Sequence, residues 1–185
     1  DHSLLSDFLD DHGNGAMSLI HRFEGSEQLQ VERDRLSGLG VDILEELTIF
    51  TGKGDLRYTL MDTYEEGKYV LGFTYGDPIL RMELSAENRY QMKINQYAFA
   101  IRDAEKVSAY NMKIFQGNQL SQFTNMGDTK YYGEPVDHEL IQGWQRHGTV
   151  AYEWCIPVKP PIVYEDHINL HGEGIHHLAF SVDDM

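Results

Sequence analysis

The chain has 185 residues, 41% hydrophobic and 11% aromatic, enough for one good core or two small ones, so disorder is not its expected state. Thirty acidic residues oppose 15 basic ones for a formal charge of −15, with no Lys/Arg-rich run; such a field repels phosphate backbones and acidic membrane surfaces and attracts metal cations. The lone cysteine, Cys155, leaves no intrachain disulfide framework; with no apolar run long enough for a bilayer, no signal peptide and no initiator methionine, a cytoplasmic protein processed at its N-terminus is expected.

The opening is acidic and reads as a solvated face; it ends in the turn His12-Gly13-Asn14-Gly15. A strand is predicted over 18–23 and a helix over 26–39, with Ser26 as cap, Leu29, Leu36 and Leu39 as apolar stripe, and Gly40 as stop. Three strands follow at 41–50, 56–62 and 69–75, joined by turns at 51–54 and 64–68. After a polar connector over 76–93 the pattern recurs. Residues 96–101 read as a strand, Asp103 caps a helix to about residue 115, and strands are expected at 119–124, 138–146 and 149–156. Pro157, Pro160 and Pro161 mark a linker, because proline cannot continue a ladder.

The last stretch repeats the first. His171-Gly172-Glu173-Gly174 matches the early turn in register, and Leu178 then falls where Leu19 did. The strand after it alternates Leu178, Phe180 and Val182 with His177, Ala179 and Ser181, so the imidazole shares a face with small side chains. Adjacent His176 is expected on the opposite face, and Asp183 and Asp184 as caps of a helix to follow. Two other strands follow the same rule: Gln96 stands with Ala98 and Ala100, and Glu153 with Thr149, Ala151 and Cys155. Oxygen donors with one imidazole suit a hard to borderline divalent ion such as Mn, Mg, Ni, Fe or Zn. An unpaired carboxylate in an apolar strand such as that of Glu153 is costly, which favours a ligand or base role.

The run Gly174-Ile175-His176-His177-Leu178-Ala179-Phe180-Ser181-Val182-Asp183-Asp184, the Gln96 strand ending in Arg102-Asp103, and the strand closing in Glu153-Trp154 resemble the vicinal oxygen chelate superfamily, the glyoxalase, bleomycin-resistance and extradiol dioxygenase type. The resemblance covers essentially the whole chain. It implies an α+β fold of paired βαβββ modules forming a curved mixed sheet, each module giving a divalent metal one ligand from its first strand and one from its last. Residues 1–78 would end one glyoxalase-like domain, residues 79–160 would begin a second, and residues 161–185 would be a linker and the first strand of a third, incomplete module. Carried over by position, the metal ligands are Gln96, Glu153 and His177, with a fourth expected beyond Met185. Ser18 and Gly72 stand where the first module would carry ligands, so its half-site is expected to be lost.

The function this implies is metal-dependent proton abstraction beside a chelated carbonyl of a small oxygenated substrate, an isomerase or lyase chemistry with Glu153 as the base. The alternatives are a metal-free binder of small molecules and a ring-cleaving dioxygenase, against which Gln96 in place of a histidine argues. The bland readings stand beside these: Gln96 as a solvated strand end, His176 as packing, His12 and His171 as turn residues, Trp144 and Trp154 as core. An unpaired terminal strand makes a homodimer the expected assembly.

Overall fold

Ser3 starts the first helix by trading hydrogen bonds with Ser6: its hydroxyl accepts from the Ser6 amide (3.2 Å) and its own amide donates to the Ser6 hydroxyl (3.0 Å). This helix, α1 (Leu4–His12), occupies the acidic opening, where no periodic apolar signal announced one. The computed structural model describes residues 3–51, 54–75, 93–115, 120–125 and 129–182. The connector 76–92, the turn residues 52 and 53, residue 119 and the capping aspartates 183 and 184 lie outside them.

Residues 18–65 and 69–75 form one compact unit. Its elements are β1 (Ser18–Arg22), α2 (Ser26–Gly38), β2 (Ile43–Thr51), β3 (Gly54–Met61) and β4 (Val70–Tyr75), with the single turn α3 (Tyr64–Gly67) leading into the last strand. The cap of α2 is Gly25, one residue before the expected Ser26. Strand order is β1-β4-β3-β2, with β1 parallel to β4 and the others antiparallel. Leu29 and Leu36 of α2 are buried, as are Leu19, Leu71, Phe73 and Met61 of the sheet.

The other unit holds α1, residues 66–68 and residues 93–182. It comprises β5 (Lys93–Ala100), α4 (Ala104–Phe115), β6 (Ser121–Asn125), a hairpin of β7 (Thr129–Tyr131) and β8 (Glu134–Val136), then β9 (Glu139–His147), β10 (Val150–Lys159), α5 (Val163–His171) and β11 (Gly174–Ser181). Its sheet runs β11-β5-β10-β9-β6. From β5 onward this is the same order as in the first unit, and again the first strand lies parallel to the last. Asp103 caps α4 by accepting from the Lys106 amide (2.9 Å). The hairpin turns on Tyr132 and Gly133, both at positive φ (47° and 92°), as a two-residue primed turn requires.

One face of this sheet is the core. Phe99 stacks on Tyr152 at 5.8 Å and tilts onto Trp154 at 4.7 Å, and the buried side of α4 (Val107, Asn111, Ile114) covers this face. Trp154 is fully buried, so truncating it to alanine costs about 3–5 kcal/mol. Strand β10 runs on through Pro157 to Lys159, where a linker was expected. Its pairing with β5 ends at Cys155, so the missing Pro157 N–H has no acceptor to disappoint, and a bulge between Pro157 and Lys159 adjusts the pairing with β9.

Candidate functional site

The opposite face of the same sheet carries Gln96, Glu153 and His177. Glu153 pairs with Ala98 and His177 pairs with Ala98 from the other side, while Ala151 and Ala179 flank Gln96. Cα partners share a face, so the three side chains singled out from sequence come together above a floor of alanines. His177 Nε2 lies 3.8 Å from Glu153 Oε2 and 3.5 Å from Gln96 Nε2, and the Gln96 amide donates to Glu153 Oε2. Glu153 is only 3% exposed.

Two residues that sequence reasoning missed complete the setting of Glu153. Gln142, on β9 opposite Cys155, donates its amide to Glu153 Oε1. The Cys155 thiol, itself a partner of the Tyr164 hydroxyl, donates to Glu153 as well. Burial pushes the Glu153 carboxyl above its ordinary range, and the donors Gln142 and Cys155 pull the other way. Burial likewise raises the thiol of Cys155 and the phenol of Tyr164, so both stay protonated donors. The only sequence signal for Gln142 was a polar side chain sharing its strand face with Leu140 and Trp144. That is too common a pattern to single it out.

His176 corrects an expectation. Strict alternation would send it to the far face, but a bulge between Ile175 and His177 breaks the period, and the two Nδ1 atoms lie 2.9 Å apart. The tautomers follow from the neighbours. The Gln96 amide nitrogen can only donate, so His177 Nε2 accepts; His177 therefore carries its proton on Nδ1 and donates it to His176 Nδ1. His177 thus turns an unprotonated nitrogen toward Glu153 and Gln96. Burial lowers the His177 pKa, and burial with His167 and His177 nearby lowers that of His176 to about 4. Tyr164 of α5 closes this side, its ring 4.7 Å from His176 and 6.3 Å from His177.

Among the described residues no three His, Cys, Asp or Glu side chains gather closely enough to hold a metal; the constellation reaches three donors only when Gln96 is counted. The donor chemistry fits a divalent ion. Ligand atoms of one first-row ion sit about 3–3.5 Å apart when bonds are near 2.1 Å; the 3.8 Å between His177 Nε2 and Glu153 Oε2 needs little closing, and a half-turn of the Gln96 amide would bring Oε1 to the side where Nε2 now lies 3.5 Å from His177.

The other unit shows what stands at the corresponding places. Ile20 pairs with Gly72 as Ala98 pairs with Glu153, which sets Ser18 at the Gln96 position. The Ile20 δ-methyl lies 2.2 Å from where a Cβ on residue 72 would sit, so bulk on β1 occupies the room that the second module leaves for its carboxylate. Trp154 is core, while Trp144 pairs with Glu153 and belongs to the site face. His12 and His171 end α1 and α5, and each donates Nδ1–H to the other's backbone carbonyl, at 2.7 and 2.6 Å.

Matching strand orders and a donor cluster on the open face of a mixed sheet define the class: the chain is an α+β protein with a glyoxalase-like fold. The particular likeness is to a triple mutant of 4-hydroxymandelate synthase from Streptomyces coelicolor, with a TM-score of 0.66 over 100% of this chain at 15% identity. The chain spans 54% of that protein's length. No protein-family model matches the chain, and no curated protein matches it in sequence. No helix among the described residues is long and apolar enough to cross a membrane.

Proposed function

We propose that this protein is a metal-dependent enzyme of the glyoxalase and epimerase type, abstracting a proton beside a carbonyl of a small oxygenated substrate in an isomerase or lyase reaction. The observation that carries the reading is the meeting of Gln96, Glu153 and His177 on one face of the sheet. Gln96 Oε1, a Glu153 oxygen and His177 Nε2 would hold a divalent ion such as Mn, Mg, Ni, Fe or Zn. When bound, such an ion supplies Lewis acidity toward two adjacent substrate oxygens.

The chain's own residues do the rest. Glu153, buried and raised in pKa, is the proton acceptor; a carboxylate whose pKa is raised is a stronger base and takes a proton more readily than an ordinary one. Gln142 and Cys155 fix its orientation, and His176 fixes the His177 ring through Nδ1. The small floor of Ala98 and Ala151 leaves room above the carboxylate for a reacting carbon.

One observation favours a second reading, a metal-free binder. Both Glu153 oxygens already receive a glutamine amide, so the cup is satisfied by protein groups alone. Oxidative chemistry would take its support from the similar synthase, but a two-histidine, one-carboxylate site needs an imidazole where Gln96 stands. The proposal includes a homodimer, supported by Leu178, Phe180 and Val182, each 41% exposed at or just beyond edge strand β11. A monomer mass independent of concentration in light scattering overturns that part.

Metal content decides between the first two readings. The protein and its His177→Ala variant, purified without chelator, are analysed for bound metal. About one divalent ion per chain, lost in the variant, supports the enzyme. No metal in either after soaking with Mn, Ni or Zn removes the chelate chemistry and leaves the binder.

A further inference from the structure

A pocket of about 230 Å³ adjoins the site, and its composition is unlike that of the alanine floor. Leu140 and Ile162, both buried, and the ring of Tyr164 make an apolar wall. Gln142 lies between this wall and Glu153, lining the pocket while donating to the carboxylate. The far side is the β7–β8 hairpin, which brings Lys130 to the pocket. The hairpin is tied at two points: the Tyr131 hydroxyl donates to Asp166 of α5 at 2.8 Å, and Lys159 pairs with Asp137 at its base at 2.5 Å. Lys68, Lys106 and Lys159 each pair with a carboxylate, whereas Lys130, like Lys93 and Lys113, has no such partner among the described residues, and of these three only Lys130 lines the pocket. In a chain of net charge −15, a lysine with no ion-pair partner among the described residues at the edge of an apolar pocket offers a local cationic point.

We propose that this pocket receives the apolar body of an anionic substrate, whose carboxylate or phosphate group meets the Lys130 ammonium while its reacting oxygens face Gln96, Glu153 and His177. The inference rests on the reading of that cluster as the reacting centre. It adds the substrate class: a molecule with a ring-sized or branched apolar segment between the chelating oxygens and a negative group. A neutral substrate of the same shape fills the pocket but leaves Lys130 without a counter-charge. The volume admits a phenyl ring with a short chain.

The test uses metal-depleted protein, so that it reads the pocket alone. 3-Phenylpropanoate, 3-phenylpropanamide and 2-phenylethyl phosphate are titrated by calorimetry into the protein and into Lys130→Met, whose exposed position lets it fold. The acid or the phosphate ester is expected to bind at least about fivefold more tightly than the amide, and Lys130→Met to remove that advantage without changing amide binding. The tighter of the two anions identifies which group the lysine serves. Equal affinity of acid, ester and amide, an unchanged anion affinity in Lys130→Met, or no binding of any probe overturns the proposal. Bound metal in Lys130→Met, measured beside the parent protein, separates the two questions. Metal retained with the anion preference missing sinks the pocket assignment alone, while an anion preference without metal sinks the chelate reading alone.

Discussion

Replacing Gln142 by leucine tests how Glu153 is kept where it is. Leucine has nearly the same volume, so packing beside Leu140 and Cys155 survives while the amide donor to Glu153 Oε1 is lost. At 3% exposure the carboxylate has little water to replace that donor, and a hydrogen bond to a charged group contributes about 1.5–3 kcal/mol. Burial already raises the folded-state pKa of Glu153. A carboxyl so raised contributes stability below its unfolded value near 4.5 and loses it as pH climbs through the folded value. Removing Gln142 lifts the folded value further and deepens that loss. The expected destabilisation is therefore small at pH 4 and about 1.5–3 kcal/mol at pH 8. Both tryptophans, Trp144 and Trp154, lie in the unit that holds Glu153, so their fluorescence during urea unfolding of chelator-treated protein reports on that unit. A penalty of the same size at both pH values, or none at all, would refute the reasoning and reduce Gln142 to a packing residue.

Three further outcomes are expected. Gly72→Glu should destabilise the first unit by about 1–3 kcal/mol, because its Cβ meets the Ile20 δ-methyl and Leu60, and adding Ile20→Ala should recover part of that loss; thermal melts showing strictly additive costs would contradict the steric account. His12→Ala and His171→Ala should each cost about 1 kcal/mol, and the double variant less than their sum; strict additivity in denaturant titrations would show two independent bonds. His176, held to about 4 by burial and then by His167 and His177, should titrate by NMR below pH 5. Because its folded value is depressed, its contribution to stability is complete above 6.5 and is lost as pH falls toward 4; a midpoint at 6 or higher would show a ring open to water.

Much of the sheet was legible because its signals are local. Strands β5, β10 and β11 carry period-two patterns with small residues on one face, and their register brings Gln96, Glu153 and His177 into one cluster. What stayed hidden depends on departures from regularity or on partners far along the chain. The bulge that turns His176 beside His177 leaves no mark in a run that reads as perfect alternation. Pro157 stays within β10 only because β5 stops pairing at Cys155, a fact about a neighbour rather than about proline. Helix α5 was masked by its own turn signal: the stretch before Gly172 was matched to the early turn, and both copies prove to be helix ends. Lys130 and Gln142 are ordinary residues in ordinary strands, made notable by what lies across from them.

The clasp of α1 and α5 has a consequence for how this sequence can change. Each histidine ring occupies the space beside the other copy's glycine: His171 Nδ1 lies 3.3 Å from the Cβ position of Gly13, and His12 Nδ1 lies 3.2 Å from that of Gly172. Both glycines also hold positive φ, 71° and 78°. Such a contact is self-complementary, the intramolecular counterpart of an isologous interface. Its four residues form one heritable unit: a substitution in either copy strands its opposite number, so variation here is expected to come in pairs separated by some 159 positions of chain.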